Sequence, residues 1–409
     1  MAGIRKAFRI AEFRSLLISY VINRAGDVFG ALALAVVVLT ATRSAIATAA
    51  LFLATQFLPG LVGPSLVARL GAISPGRFLP ACYLVEAVLF GVLAAIARHA
   101  SAEVIIALAF VDGTLAFAAR AVTRARTAST LVPHDLMPEG KAAFNLALAA
   151  ATVAGPVLGG VVLALLGPAT ALAADGASFL VAALLIAATP GLRARNPART
   201  TAPRQLRATL RYVAGHGALR VLVFGEGIAF VFFYLVVPVT VVYATRSLHA
   251  GPAGYAAMLA SWGTGAVIGS TAHVRLARRI GPAGILISTA AVAAGYLGTG
   301  VAPSLIVACA CSVLGGIGNG TQWASVETAI HGLVEEHFRL RVAAVLESLA
   351  AVAPGVGIVV GGALATLLSP RAAYLAAGGG LVVLVAAAVV SRALAAWAPG
   401  RAAPGLGRA

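Results

Sequence analysis

Residues 154–168 read AGPVLGGVVLALLGP, an apolar run with three glycines and a proline near its start and a Gly-Pro pair at its end. Gly-Pro breaks a soluble helix, and a strand of this length would be unusual. A related stretch, GGALATLLSP, occupies residues 361–370. Five of its residues repeat the first stretch at an offset of 202 positions: Gly361, Gly362, Leu367, Leu368 and Pro370. The quoted stretch therefore belongs to a long apolar element that recurs in the second half of the chain.

The composition shows which solvent the chain faces. Of its 409 residues, 60% are hydrophobic and only 11% are charged, and the mean hydropathy is +0.97. Soluble domains carry about 25% charged residues. A chain this apolar lacks the polar surface that water requires, so the composition predicts a membrane protein and excludes a soluble one.

Twelve stretches are long and apolar enough to cross a membrane as helices, since about 20 helical residues cover a hydrocarbon core of about 30 Å. They do not alternate between apolar and polar residues as the strands of a membrane barrel do. We number them spans 1 to 12: residues 15–40, 46–68, 78–97, 104–123, 142–166, 170–189, 219–243, 253–274, 282–301, 304–327, 343–368 and 372–397. The sequence thus predicts an all-α membrane protein with 12 transmembrane helices.

The basic residues are distributed unevenly between the two sides of the predicted bilayer. Of 30 Lys and Arg residues, only Arg43, Arg98, Arg246 and Arg371 fall on the side opposite the N-terminus, and Arg24 lies within span 1. Basic loops stay in the cytoplasm, so we predict that both termini are cytoplasmic. The net charge of +17 then reflects topology and lipid headgroup contact, and no nucleic-acid partner is expected.

A polar, Pro- and Arg-rich segment divides the spans into six and six. We predict an N-terminal six-helix bundle at 1–190, a cytoplasmic linker at 191–217, a C-terminal six-helix bundle at 218–398 and a cytoplasmic tail at 399–409. The tetrapeptide Ala-Thr-Arg-Ser follows span 1 at 41–44 and recurs at 244–247. Parallel six-helix repeats with a site between them are typical of secondary transporters.

These features resemble the major facilitator superfamily. Gly155-Pro156-Val157-Leu158-Gly159-Gly160 is similar to the GPxxGG core of the antiporter motif in its drug:proton exporters, although Ala151 replaces the glycine that usually opens that motif. Three further stretches resemble the macrolide and siderophore exporter branch: Gly26-Asp27, Ala143-Phe144-Asn145 and Arg339-Leu340-Arg341-Val342. The resemblance implies two pseudo-symmetric six-helix bundles in the plasma (inner) membrane of a prokaryote.

The chain also departs from the family's motifs. The gating loop between spans 2 and 3 usually reads G-x-x-x-D-R-x-G-R, and this chain keeps Gly63 and Arg69 but has Ala68 where the aspartate is expected. Many drug antiporters carry an arginine in the middle of span 4, where this chain has Asp112-Gly113. The roles of those two family residues therefore do not transfer to this chain.

Acidic residues inside the spans are candidates for proton coupling, since a charge at a helix centre costs about 2.5–3.5 kcal/mol and normally faces a cavity or a partner. Asp27 is the first candidate, either as a proton carrier or as a structural ion pair with Arg24 one turn away. Asp112, Glu226 and Glu327 are further candidates. We expect three others to serve mainly as interhelical hydrogen-bonding groups: Glu86, Asp175 and Glu347.

The substrate cavity is predicted between the two bundles. Its candidate residues besides Arg24 are three aromatic residues of span 7 and three polar or aromatic residues of span 10: Phe230, Phe233, Tyr234, Asn319, Gln322 and Trp323. Aromatic rings there suit a flat apolar or cationic molecule, although packed or lipid-facing rings are an equal alternative. The glycines near Asn319 follow no strand, so no dinucleotide site is expected.

The function predicted from these features is export of a hydrophobic or cationic small molecule by proton antiport with alternating access. A proton-coupled nutrient importer or facilitator and a non-transporting membrane sensor remain alternatives. The expected partners are the small-molecule substrate, protons and the lipid bilayer. We expect a monomer that is not an enzyme and has no cofactor or metal. The three cysteines fall within spans and are expected to be packing residues: Cys82, Cys309 and Cys311.

Overall fold

A computed structural model describes residues 2–70, 74–97, 99–193, 211–280, 283–334 and 336–397. These residues form helices joined by short turns, and no strand occurs among them. The spans keep their numbers below, and their helices have the bounds that the structure gives them. An additional short helix, Ala2–Phe8, precedes span 1.

The first six spans form a bundle in which each helix follows its neighbour after a short connection. Span 2 is continuous but has a π-helical turn, Leu53–Phe57, in its middle. The helices are Ala11–Thr42 for span 1, Ala45–Phe52 and Leu58–Leu70 for span 2, Pro75–Ile96 for span 3, Ala102–Leu131 for span 4 and Met137–Ala187 for spans 5 and 6 together.

Spans 5 and 6 are separated at Gly167, whose φ of 82° and ψ of 173° are not helical. A positive φ is accessible to glycine without the steric cost that other residues incur. Pro168 follows and fixes the backbone at the start of the next helix. The Gly-Pro pair that ends the quoted stretch is therefore the turn between two spans, and Gly155-Pro156 lies within a continuous helix.

The second six spans repeat this arrangement. Span 7 ends in a π-helical turn, Tyr243–Ser247, that contains the repeated Thr-Arg-Ser. The helices are Gly217–Leu235 and Val237–Val242 for span 7, Gly251–Ile280 for span 8, Gly284–Val301 for span 9, Leu305–Leu333 for span 10, Glu336–Leu367 for span 11 and Pro370–Trp397 for span 12.

The predicted fold class is confirmed. Nine helical segments of the described chain are long and apolar enough to cross a membrane, one of them being the joined spans 5 and 6, and Val352–Leu367 is a shorter apolar helix. The helix of span 8 is long enough but more polar. Most of the predicted linker and the tail after 398 lie outside the described residues, so the domain boundaries at 190 and 217 stay predictions.

Glycines allow the helices of the second bundle to touch through their backbones. A Cβ atom added to Gly316 of span 10 would lie 2.1 Å from the carbonyl oxygen of Trp262 in span 8. A Cβ atom on Gly269 of span 8 would lie 2.1 Å from the carbonyl oxygen of Ile317. Gly318 faces the other way, toward the carbonyl oxygen of Ser288 in span 9. The glycine-rich stretch of span 10 is thus a close three-helix contact.

The two bundles meet along spans 2 and 11 and along spans 5 and 8. A Cβ atom on Gly362 would lie 2.5 Å from the Cβ atom of Ala49, and one on Gly160 would lie 2.3 Å from that of Ala256. These contacts lie toward the ends of the helices where Arg43 is found, which we call the Arg43 end. We call the opposite end, to which residue 193 belongs, the linker end.

Replacing Gly316 by alanine is expected to destabilise the second bundle by about 1–3 kcal/mol, because the new methyl group would have to push spans 8 and 10 apart. The matched control is Gly379→Ala in span 12, where a Cβ atom meets nothing within 4 Å and alanine favours the helix. Thermal unfolding of the purified chain in detergent measures the difference. Equal melting temperatures for the two variants would contradict the close backbone contact.

Candidate functional site

An ion pair on span 1 lies in the wall of the first bundle. The Nη1 atom of Arg24 lies 3.4 Å from Oδ2 of Asp27, and the side chains are 39% and 18% exposed. Residues three apart share one helix face, which explains why the pair forms locally. Both predicted candidates are therefore brought together in a partly open setting, where the pair can separate at modest cost.

An aromatic cluster on spans 7 and 10 forms part of the second bundle. The ring centroids of Phe230 and Trp323 are 6.1 Å apart, and those of Phe230 and Phe233 are 6.4 Å apart with the rings nearly perpendicular. The two phenylalanines are buried, whereas Trp323 is 48% exposed. Arg24 is close enough for its charge to act on the half-buried Tyr234 of span 7. The ion pair of one bundle therefore lies within electrostatic range of Tyr234 in the other bundle.

A second polar contact joins the same two spans deeper in the bundle. Nε2 of Gln322 donates a hydrogen bond of 3.1 Å to Oε2 of Glu226, and both side chains are buried. Oε1 of Gln322 has no partner among the described residues. Asn319, one turn before Gln322, is half-buried. These side chains were predicted as separate candidates, and the structure places Glu226 and Gln322 in direct contact.

His273 of span 8 was not predicted as a site residue, and its side chain contacts span 10 one turn from Gln322. Its Nδ1 atom is 3.3 Å from Oγ of Ser325 in span 10, and its Nε2 atom has no partner among the described residues. In the sequence His273 stood alone, with no second ligand or base nearby. Only the packing of span 8 on span 10 brings it to Ser325.

The first bundle contains more buried acidic side chains than its predicted site includes. Asp112 is half-buried, and its Oδ1 atom has no partner among the described residues. Glu86 and Asp175 are fully buried. Arg120 of span 4 acts electrostatically on Glu86 and Asp112 and was not among the predicted site residues. The sequence shows which spans carry these charged residues, but it does not show that their side chains face the same bundle interior.

The glycines of the quoted stretch face spans 1 and 8. A Cβ atom on Gly155 would lie 3.0 Å from Cγ2 of Val28, and one on Gly159 would lie 2.7 Å from Cδ1 of Phe29. Val28 and Phe29 directly follow Asp27 in span 1. Pro156 and Gly160 are buried too, and Gly160 faces span 8 of the other bundle. The motif thus fixes the segment that carries the ion pair.

The repeated Ala-Thr-Arg-Ser segments meet at the Arg43 end. Nη2 of Arg246 donates a hydrogen bond to the carbonyl oxygen of Arg43, whose φ of 49° ends span 1 in the left-handed conformation. This bond joins the two bundles across their pseudo-symmetry.

The remaining predicted site residues lie elsewhere or outside the description. A Cβ atom on Gly63 would lie 2.2 Å from Cδ1 of Phe117, so this glycine packs span 2 on span 4. The side chains of Arg69 and Glu327 lie outside the described ones. Among the described residues, no group of three or more His, Cys, Asp or Glu side chains is arranged to hold a metal ion.

Comparison with known proteins agrees with this architecture. The family model described as transmembrane secretion effector, a family of the major facilitator superfamily, matches residues 4–402. No curated protein sequence matches the chain at a significant level.

Three solved structures illustrate the similarity in fold. The nucleoside transporter NupG has a TM-score of 0.69 at 10% identity, with 93% of this chain and 98% of that chain covered. A bacterial homologue of the human lysosomal transporter Spinster, inward-facing and unoccupied, has a TM-score of 0.66 at 14% identity, with 97% of this chain and 100% of that chain covered. A bacterial homologue of the iron transporter ferroportin, inward-facing, has a TM-score of 0.67 at 15% identity, with 91% of this chain and 98% of that chain covered. At these identities the likeness concerns the fold alone.

A cysteine pair at positions 49 and 362 is expected to cross-link the two bundles. In a chain whose three native cysteines are replaced by serine, Ala49→Cys with Gly362→Cys should form a disulfide on mild oxidation, because the Cβ atoms need only a small shift to reach the usual 3.5–4.5 Å. Mobility on a denaturing gel after protease cleavage of the linker detects the bond. Each single variant is the control, and a double variant that stays uncross-linked would contradict the contact.

Proposed function

The chain belongs to the transmembrane secretion effector family of the major facilitator superfamily, and on that premise we propose that it exports a hydrophobic or cationic small molecule in exchange for protons. The observation that carries the proposal is the partly exposed Arg24–Asp27 ion pair, whose arginine acts electrostatically on the aromatic Tyr234 of the other bundle. An acidic group beside an aromatic surface suits both proton exchange and binding of an apolar cation.

The contacts between the bundles support a transport cycle of alternating access. They extend from the middle of spans 2, 5, 8 and 11 to the Arg43 end, where Arg246 also bonds to Arg43. On the orientation that the basic residues predict, we take that end to face the outside of the cell. We propose that the bundles separate at the linker end to form a substrate cleft open to the cytoplasm, which is the side from which an exporter loads its substrate. Rocking of one bundle against the other would open the Arg43 end.

Asp27 is proposed as the group that exchanges protons with substrate. When the outward-open state takes up a proton, Asp27 becomes neutral and releases Arg24. In the inward-open state, a bound cation stabilises the carboxylate, so the proton leaves to the cytoplasm as substrate binds. The membrane potential adds about 2.3 kcal/mol per charge for each 100 mV, and this energy favours proton entry over proton exit.

The aromatic cluster is proposed as the surface that holds the substrate. Trp323 offers an exposed ring, and Phe230 behind it fixes that ring in place. Stacking of a cation on such a ring contributes about 0.5–2 kcal/mol, which gives weak but broad recognition. A single chain in the plasma membrane of a prokaryote, with both termini in the cytoplasm, is sufficient for this cycle.

Two other functions remain to be separated by experiment. A proton-coupled importer or facilitator would use the same cleft in the opposite direction. A membrane sensor would have no use for a proton carrier, so its function would survive neutralisation of Asp27.

The variant Asp27→Asn is expected to abolish resistance in a drug-susceptibility panel of lipophilic cations that includes ethidium. It should also reduce ethidium accumulation in inverted vesicles about tenfold, since a pH difference of about one unit supports about that concentration ratio for one-to-one exchange. The matched control is Glu103→Gln, an exposed carboxylate at the Arg43 end of span 4. It should behave as the unmodified chain does.

The outcomes distinguish the three functions. Resistance and accumulation that depend on Asp27 agree with export. Accumulation in right-side-out vesicles under an inward proton gradient would indicate an importer. If the unmodified chain confers no more resistance than an empty vector and moves no probe in either orientation, multidrug export is wrong.

A further inference from the structure

Two fully buried carboxyl groups lie behind the wall that carries Asp27. Glu86 of span 3 is 0% exposed, and neither of its carboxyl oxygens has a hydrogen-bond partner among the described residues. Asp175 of span 6 is also 0% exposed. Its Oδ1 atom accepts a bond of 3.3 Å from Oγ of Ser178, and its Oδ2 atom has no partner there. The sequence predicted only supporting hydrogen bonds for both residues, and for Glu86 the structure provides none.

Packing brings Asp175 against span 1 on both sides of Asp27. A Cβ atom on Gly26 would lie 2.5 Å from Oδ1 of Asp175, and one on Gly30 would lie 2.1 Å from Oδ2. With 3.6 residues per turn, position 27 borders the helix face that positions 26 and 30 form. Only glycine at these two positions leaves room for the carboxyl group. The Asp175 side chain therefore lies against the helix turn that carries Asp27.

Glu86 joins this region through the contact of span 3 with span 6. A Cβ atom on Gly176 would lie 3.3 Å from the carbonyl oxygen of Ala87, so spans 6 and 3 touch at these two residues. Asp175 directly precedes Gly176 in the chain, and Glu86 directly precedes Ala87. The titratable or charged groups around Glu86 are those of its own helix and those of spans 1, 4 and 6: Cys82, Tyr83, Asp27, Asp112, Arg120 and Asp175. Among the described residues, Arg120 is the cation that acts on Glu86, and the acidic groups outnumber it.

Ionisation of Glu86 and Asp175 together would be costly. A buried ion without a partner costs several kcal/mol even after relaxation. Arg24 is already paired with Asp27, and Arg120 also acts on Asp112. A bound metal ion would compensate the charges, but the described side chains are not arranged to hold one. Protons are the remaining means of neutralising this interior.

We propose that Glu86 and Asp175 form a second proton site, closed to the cleft, which exchanges protons with Asp27. The step is a transfer between two carboxyl groups. The O–H bond of Asp175 breaks, a new O–H bond forms on the Asp27 carboxylate, Asp175 becomes the anion, and no proton is lost until water takes it from Asp27. The role in transport rests on the proposed proton antiport, whereas the existence of the neutral acids does not.

Infrared spectroscopy of the full chain in lipid vesicles tests for the neutral acids without any substrate. At neutral pH we expect C=O stretching bands of protonated carboxyl groups that shift in D₂O, and this shift should be slower in Asp27→Asn because the proposed site exchanges protons with water only through Asp27. Glu86→Gln should remove one band and Asp175→Asn another. The matched control, Glu103→Gln, should remove none, since that carboxylate is exposed at the opposite end of the bundle.

The transport role needs a second readout on the same variants, with ethidium as the probe. Glu86→Gln should keep downhill ethidium movement but lose most of the about tenfold accumulation that a pH difference of one unit supports. If neither substitution removes a band, the second proton site is wrong, even when the unmodified chain transports. If bands disappear but the unmodified chain accumulates no probe, proton antiport is wrong and the buried acids stand.

If Glu86→Gln fails to fold, the Asp175→Asn spectrum tests the second proton site, because each of the two acids is expected to contribute its own band. A D₂O shift that is equally fast in Asp27→Asn and in the unmodified chain would place the acids in contact with water and overturn the closed site.

Discussion

The contact of span 5 with spans 1 and 8 is the constraint on which the rest of the arrangement depends. Gly155 and Gly159 admit the side chains of Val28 and Phe29, and Gly160 admits Ala256 of the other bundle. Because these positions lack side chains, one helix contacts both the segment that carries Asp27 and the opposite bundle. We therefore propose that span 5 transmits a change in the contact between the bundles to the ion pair.

The buried charges explain why the two bundles differ despite their repeated sequence. Among the described residues, the first bundle encloses Glu86 with neither carboxyl oxygen hydrogen-bonded and Asp175 with one oxygen unpaired, whereas the second pairs its buried Glu226 with the amide of Gln322. A hydrogen-bonded carboxylate is a stable structural element, while an unpaired one changes its charge when its surroundings change. The proton chemistry is therefore proposed for the first bundle, and recognition of the apolar part of a substrate for the aromatic cluster of the second.

The sequence predicted the fold well because hydrophobic length is a local property. Apolar length alone located the twelve helices, and it left Gly167 between the predicted spans 5 and 6, where the structure has its turn. The Arg24–Asp27 pair was also predictable, since three-residue spacing puts both on one face. Contacts between distant helices were not: nothing local links Asp175 to Gly26 and Gly30, or His273 to Ser325. These contacts depend on which helix faces pack together. In an Ala- and Gly-rich chain many helix faces have similar composition, so the sequence does not identify the faces that meet.

Paired distance measurements test the central claim that the bundles rock about the cleft under control of Asp27. In a chain without native cysteines, spin labels at positions 46 and 301 report on the Arg43 end, and labels at 132 and 333 report on the linker end. The account predicts that acid pH shortens the first distance and lengthens the second, because the protonated form moves to the inward-open state, and that Asp27→Asn produces the same change at neutral pH. Distances that stay constant, or that lengthen together at both ends, would contradict it.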